Sequence, residues 1–272
     1  MVVFPKAKIN IGLNITGKRS DGYHNIETLF LPVGLCDALE FVAAPPGVVT
    51  DELIVTGLVT DCSPADNLVV RALNLVRAEH SIPPLRMHLH KAIPAGSGLG
   101  GGSSDASAML VGVNRFFGLD IDDSRLLQMA LTIGSDCPVF IAGIPVLASG
   151  RGEVFTPAPS LPAGLTLIIV HEGIHISTAE AYSNCRPRKP DYRLSELIAD
   201  PPARWRETIK NDFEEYAFAK HPILAEIKES MYSAGALYSS MSGSGSAIYG
   251  LFAGESVQTG LIKGKIIFKG PL

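Results

Sequence analysis

Charge is scarce in this sequence: only 18% of its 272 residues are charged, and 27 acidic against 23 basic side chains leave a formal net charge of −4. The basic residues are scattered, so no stripe exists to neutralise a phosphodiester backbone, and nucleic acid is not expected as a partner. Cysteine is sparse as well. Cys36, Cys62, Cys137 and Cys185 lie far apart, with no C-x-x-C spacing. That excludes a dense disulfide framework and fits a reducing compartment, so a cytoplasmic location is expected. Met1 to Asn14 lacks an uninterrupted apolar run and carries Lys6 and Lys8. It resembles neither a signal peptide nor a spanning helix, so the start of the chain is expected to belong to the fold and no membrane partner is expected. Asn14-Ile15-Thr16 matches the glycosylation sequon, but that reading needs secretion, for which nothing else argues. No repeat of fixed period is present.

What the chain has is apolar material, 46% of its residues, enough to bury one large core or two medium ones. Ile9, Ile11, Leu13 and Ile15 alternate with Asn10, Gly12, Asn14 and Thr16, the period of a strand with one buried face. A polar, exposed loop from Gly17 to His24 follows, and strands resume between Ile26 and Phe41. Asp66 is expected to cap a helix carrying Leu68, Leu73 and Val76, and Leu85, Met87 and Leu89 alternate with Arg86, His88 and His90 as a strand. Ser103 or Ser104 is expected to cap a helix that Gly118 ends. A second helix, Ser124 to Ile133, is capped by the cluster Asp120 to Asp123 and closed by Gly134. Pro157, Pro159 and Pro162 mark a connection from Phe155 to Gly164. The expected domains are therefore residues 1–154 and 155–272. In the second, strands Leu165–Val170, Leu237–Met241 and Ala247–Phe252 alternate with helices Ser177–Asn184, Trp205–Ala219 and Ile223–Ser233. The class is α+β. The tail after Gly254 shows no motif.

Chemistry concentrates in Pro94-Ala95-Gly96-Ser97-Gly98-Leu99-Gly100-Gly101-Gly102-Ser103-Ser104. Five glycines in seven positions strip the backbone of side chains, so several N–H groups can converge on one anion, and the following helix adds the positive end of its dipole. No lysine follows the glycines, which excludes a Walker A loop. Gly96-Ser97-Gly98-Leu99-Gly100-Gly101 does satisfy the dinucleotide fingerprint G-x-G-x-x-G, with Asp120 and Asp122 about twenty residues on. Against that reading stand Pro94 between strand and glycines, the extra Gly102-Ser103-Ser104, and acidic residues placed as a helix cap. Ser242-Gly243-Ser244-Gly245-Ser246 is either an ordinary hairpin turn or a second place where a backbone or ligand approaches closely.

The segment from Pro94 to Ser104 resembles the phosphate motif of the GHMP kinases, the superfamily of galactokinase, homoserine kinase and mevalonate kinase. Pro5-Lys6-Ala7-Lys8-Ile9-Asn10, Gly134-Ser135-Asp136-Cys137-Pro138 and Ser242 to Ser246 match three further motifs in order. Within the superfamily, the run from Lys8 through Asp21-Gly22-Tyr23-His24 is most similar to the branch acting on a cytidine diphosphate alcohol of the non-mevalonate isoprenoid route. The resemblance implies a small-molecule kinase that uses ATP, with an S5-like amino-terminal domain, a ferredoxin-like carboxy-terminal domain and the active site in the cleft between them. It implies that the glycine loop wraps the ATP phosphates, that Ser103 or Ser104 helps hold Mg2+, and that Asn67 and Lys91 lie near the adenosine. It further implies that Asp136 takes the proton of the acceptor hydroxyl while Lys8 steadies charge beside it. Asn10, two residues along the same strand face, would bind the acceptor. Tyr23 and Tyr182 would sandwich the cytosine, with His24 reading its edge. Read singly, Lys8 is a solvent-facing strand lysine, Asp136 a helix cap, Asn67 a helix start, Lys91 a surface charge and Tyr182 a core residue. The alternatives are a GHMP kinase for another alcohol such as homoserine or mevalonate, a nucleotide-binding regulator without turnover, and an oxidoreductase binding NAD.

Two further patterns carry no chemistry in this reading. His171-Glu172-Gly173-Ile174-His175 matches H-E-x-x-H, but it follows a strand and contains a glycine where the zinc motif needs a helix. His88 and His90 share a strand face with no third ligand nearby in sequence.

Overall fold

The computed structural model describes residues 1–59, 63 and 66–272; Cys62 lies outside the described residues. In chain order the first half holds β1 (Val2–Val3), β2 (Lys6–Lys18), β3 (His24–Cys36), β4 (Ala38–Ala43), β5 (Glu52–Gly57), α1 (Leu68–Arg77), β6 (Leu85–Lys91), α2 (Gly101–Phe117), α3 (Asp123–Ile133) and α4 (Cys137–Ala142). The second half holds β7 (Val146–Ser149), β8 (Val154–Pro157), β9 (Leu165–Val170), α5 (Thr178–Ser183), α6 (Leu194–Ile198), α7 (Pro202–Thr208), α8 (Glu214–Lys220), α9 (Pro222–Ser233), β10 (Tyr238–Met241), β11 (Ile248–Ala253) and β12 (Ile266–Pro271). The chain sorts into two compact units, both discontinuous in sequence. One comprises Met1–Ala7, Leu35–Ala95 and Gly100–Ile144, the other Lys8–Gly34, Gly96–Leu99 and Pro145–Leu272. A single cut after Val154 divides the chain differently, because most of β2 and β3 belongs to the second unit.

The first unit is built on a sheet of order β1-β4-β6-β5 in which β6 runs parallel to β5 and antiparallel to β4. This mixed sheet is not the doubly wound parallel sheet that a dinucleotide fold requires. Leu85, Met87 and Leu89 of β6 point into a core shared with Leu73 and Val76 of α1, Met109 and Val113 of α2, and Leu126 of α3. Each such side chain, fully buried, contributes about 1.5–3 kcal/mol. Lys91 ends the same inward row and is 4% exposed. The opposite row carries His88 and His90, whose ring nitrogens both meet Thr56 Oγ1, at 2.8 and 3.0 Å.

The second unit contains a sheet of order β10-β11-β9-β12, antiparallel throughout, and a sheet of order β2-β3-β7-β8. Ile168 and Val170 of β9, Phe213, Ile227 and Met231 join Leu13 and Ile15 of β2 in its core.

Several boundaries depart from the sequence reading, each for a local reason. Asn67, not Asp66, caps α1: its Oδ1 accepts from Val69 N–H at 2.9 Å, while Asp66 accepts from the Ser63 hydroxyl. α2 begins before Ser103 and Ser104, capped by Gly100 in the left-handed region (φ +74°), which glycine adopts without a Cβ penalty. The expected cap of α3 holds: it is Asp122 of the Asp120–Asp123 cluster, whose side chain accepts from Arg125 N–H. Phe155 to Pro157 belongs to β8, paired with β7, so the proline-rich connection starts later. The helix expected from Trp205 to Ala219 is two helices. At the break, Asn211 bridges to Leu13, and Asp212 accepts the Ile15 N–H at 2.7 Å. The tail after Gly254 supplies β12, paired with β9.

Candidate active site

In the second unit, Gly96–Leu99 of the glycine loop is held at both ends. Lys8 N–H on β2 donates to Leu99 O at 2.9 Å, Ala247 N–H donates to Ser97 O at 3.0 Å, and Ser242 Oγ donates to Gly98 O at 2.9 Å. Gly98 has φ +77°, and a Cβ there would lie 1.9 Å from Ser242 O, so two requirements converge on glycine. The Ser242–Ser246 segment is thus both the hairpin turn of β10 and β11 and a partner of the glycine loop. A Cβ on Gly243 would stand 3.1 Å from Gly98 O and 3.3 Å from Lys8 Nζ, which places the ammonium at the junction of the two glycine segments.

Lys8 is 2% exposed, contrary to a solvent-facing strand lysine. Its Nζ donates to Asn10 Oδ1 at 2.5 Å and lies 5.2 Å from the Phe30 ring centre. Asn10 Nδ2 donates to Thr28 Oγ1 at 2.9 Å, and the Thr28 hydroxyl donates to Gly12 O at 2.5 Å. The shared strand face expected for Lys8 and Asn10 is therefore a direct hydrogen bond, and Thr28 fixes the amide so that its oxygen faces the ammonium. An ammonium held this way in a nearly dry setting stabilises an anion far more than one in water.

In the first unit, Pro94 and Ala95 lead into the loop, and Gly100 to Ser104 open α2. No side chain caps α2, so its first-turn amides and the positive end of its dipole remain an anion-binding feature. Beneath this turn lies a buried charge cluster. Lys91 Nζ donates to Asp37 and, at 2.6 Å, to Asp105 of α2; Asp37 Oδ1 also accepts the N–H groups of Ala92 and Ile93, at 2.6 and 2.8 Å. A Cβ on Gly101 would stand 3.2 Å from Lys91 Nζ. The side chain of Lys91 is accordingly a brace under the loop and not a surface charge. Burial pushes the Asp105 carboxyl up to about 7 against the pull of Lys91, and its Oδ1 is buried without a hydrogen-bond partner.

Ser103 is half-buried and its hydroxyl faces the Gly134–Cys137 turn, within hydrogen-bonding reach of the Cys137 thiol; Ser104 is 3% exposed. Burial pushes that thiol up to about 11, and Ser107 Oγ donates to Cys137 O at 2.8 Å. Asp136 stands at the N-cap position of α4, half-buried, yet its side chain makes no cap hydrogen bond, so the plain capping role does not describe it. Asn67 does act as a helix cap. Among the described residues no group of three His, Cys, Asp or Glu side chains is arranged to hold a metal.

Also in the second unit, the expected aromatic residues show a different pairing. His24 stacks on Tyr182 with ring centres 4.9 Å apart at 17°, Tyr182 packs edge-on to Phe213, and the exposed Tyr23 ring carries the Arg151 guanidinium at 4.6 Å. Burial, with Lys18 nearby, lowers the pKa of His24. The sequence reading missed Arg151, Thr28 and the Asp37–Asp105 pair; for Arg151 the available signal was a cation between Gly150 and Gly152, the left-handed glycines of a turn. The H-E-x-x-H stretch is not helical. Among the described residues no helix is long and apolar enough to cross a membrane, and Cys137 and Cys185 are free thiols.

Comparison with known proteins identifies the family. The model of the GHMP kinases N terminal domain matches residues 67–144, and that of the GHMP kinases C terminal domain matches residues 194–263. A 4-diphosphocytidyl-2-C-methyl-D-erythritol kinase of Porphyromonas gingivalis is 50% identical, over 93% of this chain and 92% of its own. The protein of that name in Parabacteroides distasonis is 48% identical, also over 93% and 92%. A crystal structure of 4-(cytidine 5'-diphospho)-2C-methyl-D-erythritol kinase superposes with a TM-score of 0.77 at 33% identity, covering 94% of this chain and 91% of that one. The chain belongs to the GHMP kinases, small-molecule kinases that take their phosphoryl group from ATP, and within them to the 4-diphosphocytidyl-2-C-methyl-D-erythritol kinase family.

Proposed function

We propose that the protein transfers the γ-phosphoryl group of ATP to the 2-hydroxyl of 4-diphosphocytidyl-2-C-methyl-D-erythritol, giving ADP and the 2-phosphate, in the non-mevalonate route to isoprenoids. The observation that carries the reading is the buried Lys8 ammonium, fixed by Asn10 and Thr28 where Gly98 of the phosphate loop meets Gly243. The acceptor is supported by the shared name of relatives at 48% and 50% identity and by the stacked rings of His24 and Tyr182, a surface suited to a pyrimidine.

In this reading Asp136 accepts the hydroxyl proton as the new P–O bond forms and the bond to the β-phosphate oxygen breaks, with ADP leaving. Lys8 neutralises charge on the transferring group, and Asn10 orients the acceptor. Pro94 to Ser104 hold the ATP phosphates through backbone amides. Asn67 borders the adenosine, and Lys91 acts on ATP through the loop it braces. The hard-oxygen donors suit Mg2+ with few protein ligands, and Ser103, the more exposed of the two serines, would be one of them. Bound there with ATP, the ion would neutralise charge on the phosphates. Tyr23, His24 and Tyr182 receive the cytosine. We place the boundary of the two family domains after Val154, between the matched stretches, and the protein in the cytoplasm, in line with its separated cysteines and without nucleic-acid or membrane partners.

Coupled ADP release from MgATP with the cytidylated alcohol, mevalonate, homoserine or no acceptor tests this. Turnover with the cytidylated alcohol alone is expected, and Asp136→Asn should lower kcat by about 10²–10⁴-fold. Turnover with another alcohol would sink the acceptor assignment; ATP binding without turnover would favour a regulator; an Asp136→Asn variant of normal rate would remove the proposed base.

A further inference from the structure

We propose that His175 is a phosphate-binding residue, placed by the fold to donate a hydrogen bond to the phosphate oxygens of a bound nucleotide. The proposal rests on the kinase reading above and goes beyond it, since His175 falls outside the four matched motifs. It sits on the segment that leaves β9 and enters α5, and the chain on both sides of it is fastened to the Ser242–Ser246 turn. Before it, the Ser246 hydroxyl donates to Ile174 O; after it, Thr178 Oγ1 and Ser244 Oγ lie 3.2 Å apart. Ile176, 1% exposed, anchors the backbone between.

So held, the exposed imidazole rests on the phosphate loop. A Cβ on Gly96 would stand 2.2 Å from His175 Nδ1 and 2.4 Å from Cε1, so the ring occupies the space that a side chain at Gly96 would fill. A structural spacer would serve equally well as a leucine or methionine. Here the group laid on an anion-binding backbone is an exposed ring with an N–H donor at neutral charge and two when protonated. Downstream, Thr178 opens α5 and Tyr182 on the same helix stacks with His24. One short stretch therefore runs from the phosphate loop to the aromatic pair, and the phosphates of a nucleotide whose base stacks there would pass His175. The shared chemistry is a nucleotide polyphosphate, and two sources supply it: ATP, or the diphosphate of the cytidylated acceptor.

The test measures KM for each nucleotide, and kcat, in the parent, His175→Ala and His175→Gln, with ATP affinity from direct titration in the absence of acceptor and thermal unfolding as a control. In His175→Ala one KM is expected to rise about ten- to a hundredfold, the worth of a charge-assisted hydrogen bond, with His175→Gln recovering part of it. A rise in KM and dissociation constant for ATP names the donor; a rise for the acceptor alone names its diphosphate. Both KM values within twofold of the parent would overturn the proposal. So would equal impairment of the two variants with a lowered Tm, which is the behaviour of a spacer. If the parent does not turn over the cytidylated alcohol, the acceptor assignment fails separately and the ATP titration alone decides for or against His175.

Discussion

Asp105→Asn removes one carboxylate from the cluster under α2, and the pH dependence of stability reads out the result. Burial raises the Asp105 carboxyl from 3.8 to about 7 in the folded protein. Between those values the folded state holds a proton that the unfolded chain has released, so stability falls as pH rises, by about 1.36 kcal/mol per unit. Over roughly three units the penalty reaches about 4 kcal/mol, absent below about pH 4 and complete above about pH 7. Asparagine is close in shape and does not titrate, and it leaves Lys91 with Asp37 as its carboxylate partner. Urea unfolding followed by circular dichroism at pH 5, 6, 7 and 8 should show the variant gaining on the parent by about 1.4 kcal/mol per unit up to pH 7, then holding level. Parallel stability profiles over this range would refute the assignment of Asp105 as a carboxyl that burial keeps protonated. A variant that loses ground as pH rises would reverse its sign.

Two further outcomes test the joints of the second unit. Gly98→Ala places a Cβ 1.9 Å from Ser242 O at φ +77°, so its cost should exceed the roughly 1–2 kcal/mol of a left-handed alanine alone. Isothermal titration with ATP should show at least tenfold weaker binding, and parent-like affinity would mean that loop and turn are not interlocked. Asn211→Ala strips the 2.8 Å hydrogen bonds that Asn211 Nδ2 gives to Met241 O and Gly243 O in a site where the residue is 3% exposed. Gly243 O then loses this donor and Met241 O keeps only the long 3.4 Å contact from Ser240 Oγ, which should cost about 3 kcal/mol in urea unfolding; a loss below about 1 kcal/mol would mean that water replaces the amide.

How much of this was legible depends on how local each cause is. The glycine loop was readable because left-handed backbone selects glycine residue by residue, and Gly96, Gly98 and Gly100 are all left-handed. The inward direction of Lys91 was readable in principle from the alternation of Leu85, Met87 and Leu89, but its partners lie 54 and 14 residues away, and no spacing rule joins Asp37 to Asp105. The helical pattern from Trp205 to Ala219 was real on either side of the break, yet the pull of β2 on Asn211 and Asp212 overrode it. The partners of Tyr23, His24 and Tyr182 depend on side-chain directions that sequence does not encode locally: His24 faces Tyr182, and Arg151 covers Tyr23.

The lack of a Walker lysine has a structural counterpart in the register of β2. In a Walker loop the cation is part of the glycine segment and travels with it. Here the cation beside Gly243 comes from a strand, and that strand is tied to the loop by the backbone hydrogen bond from Lys8 N–H to Leu99 O. Side chains alternate along a strand, so a slip of one residue would present Ala7 or Ile9 in place of Lys8 and move Asn10 away from Thr28. That register is defended far from the loop, where Leu13 N–H donates to Lys210 O, Ile15 N–H donates to Asp212, and Leu13 and Ile15 sit in the core. The break between α7 and α8 thus pins β2 at one end while Leu99 pins it at the other. The helix lost at Asn211 and the ammonium held at Gly243 are two consequences of fixing one strand.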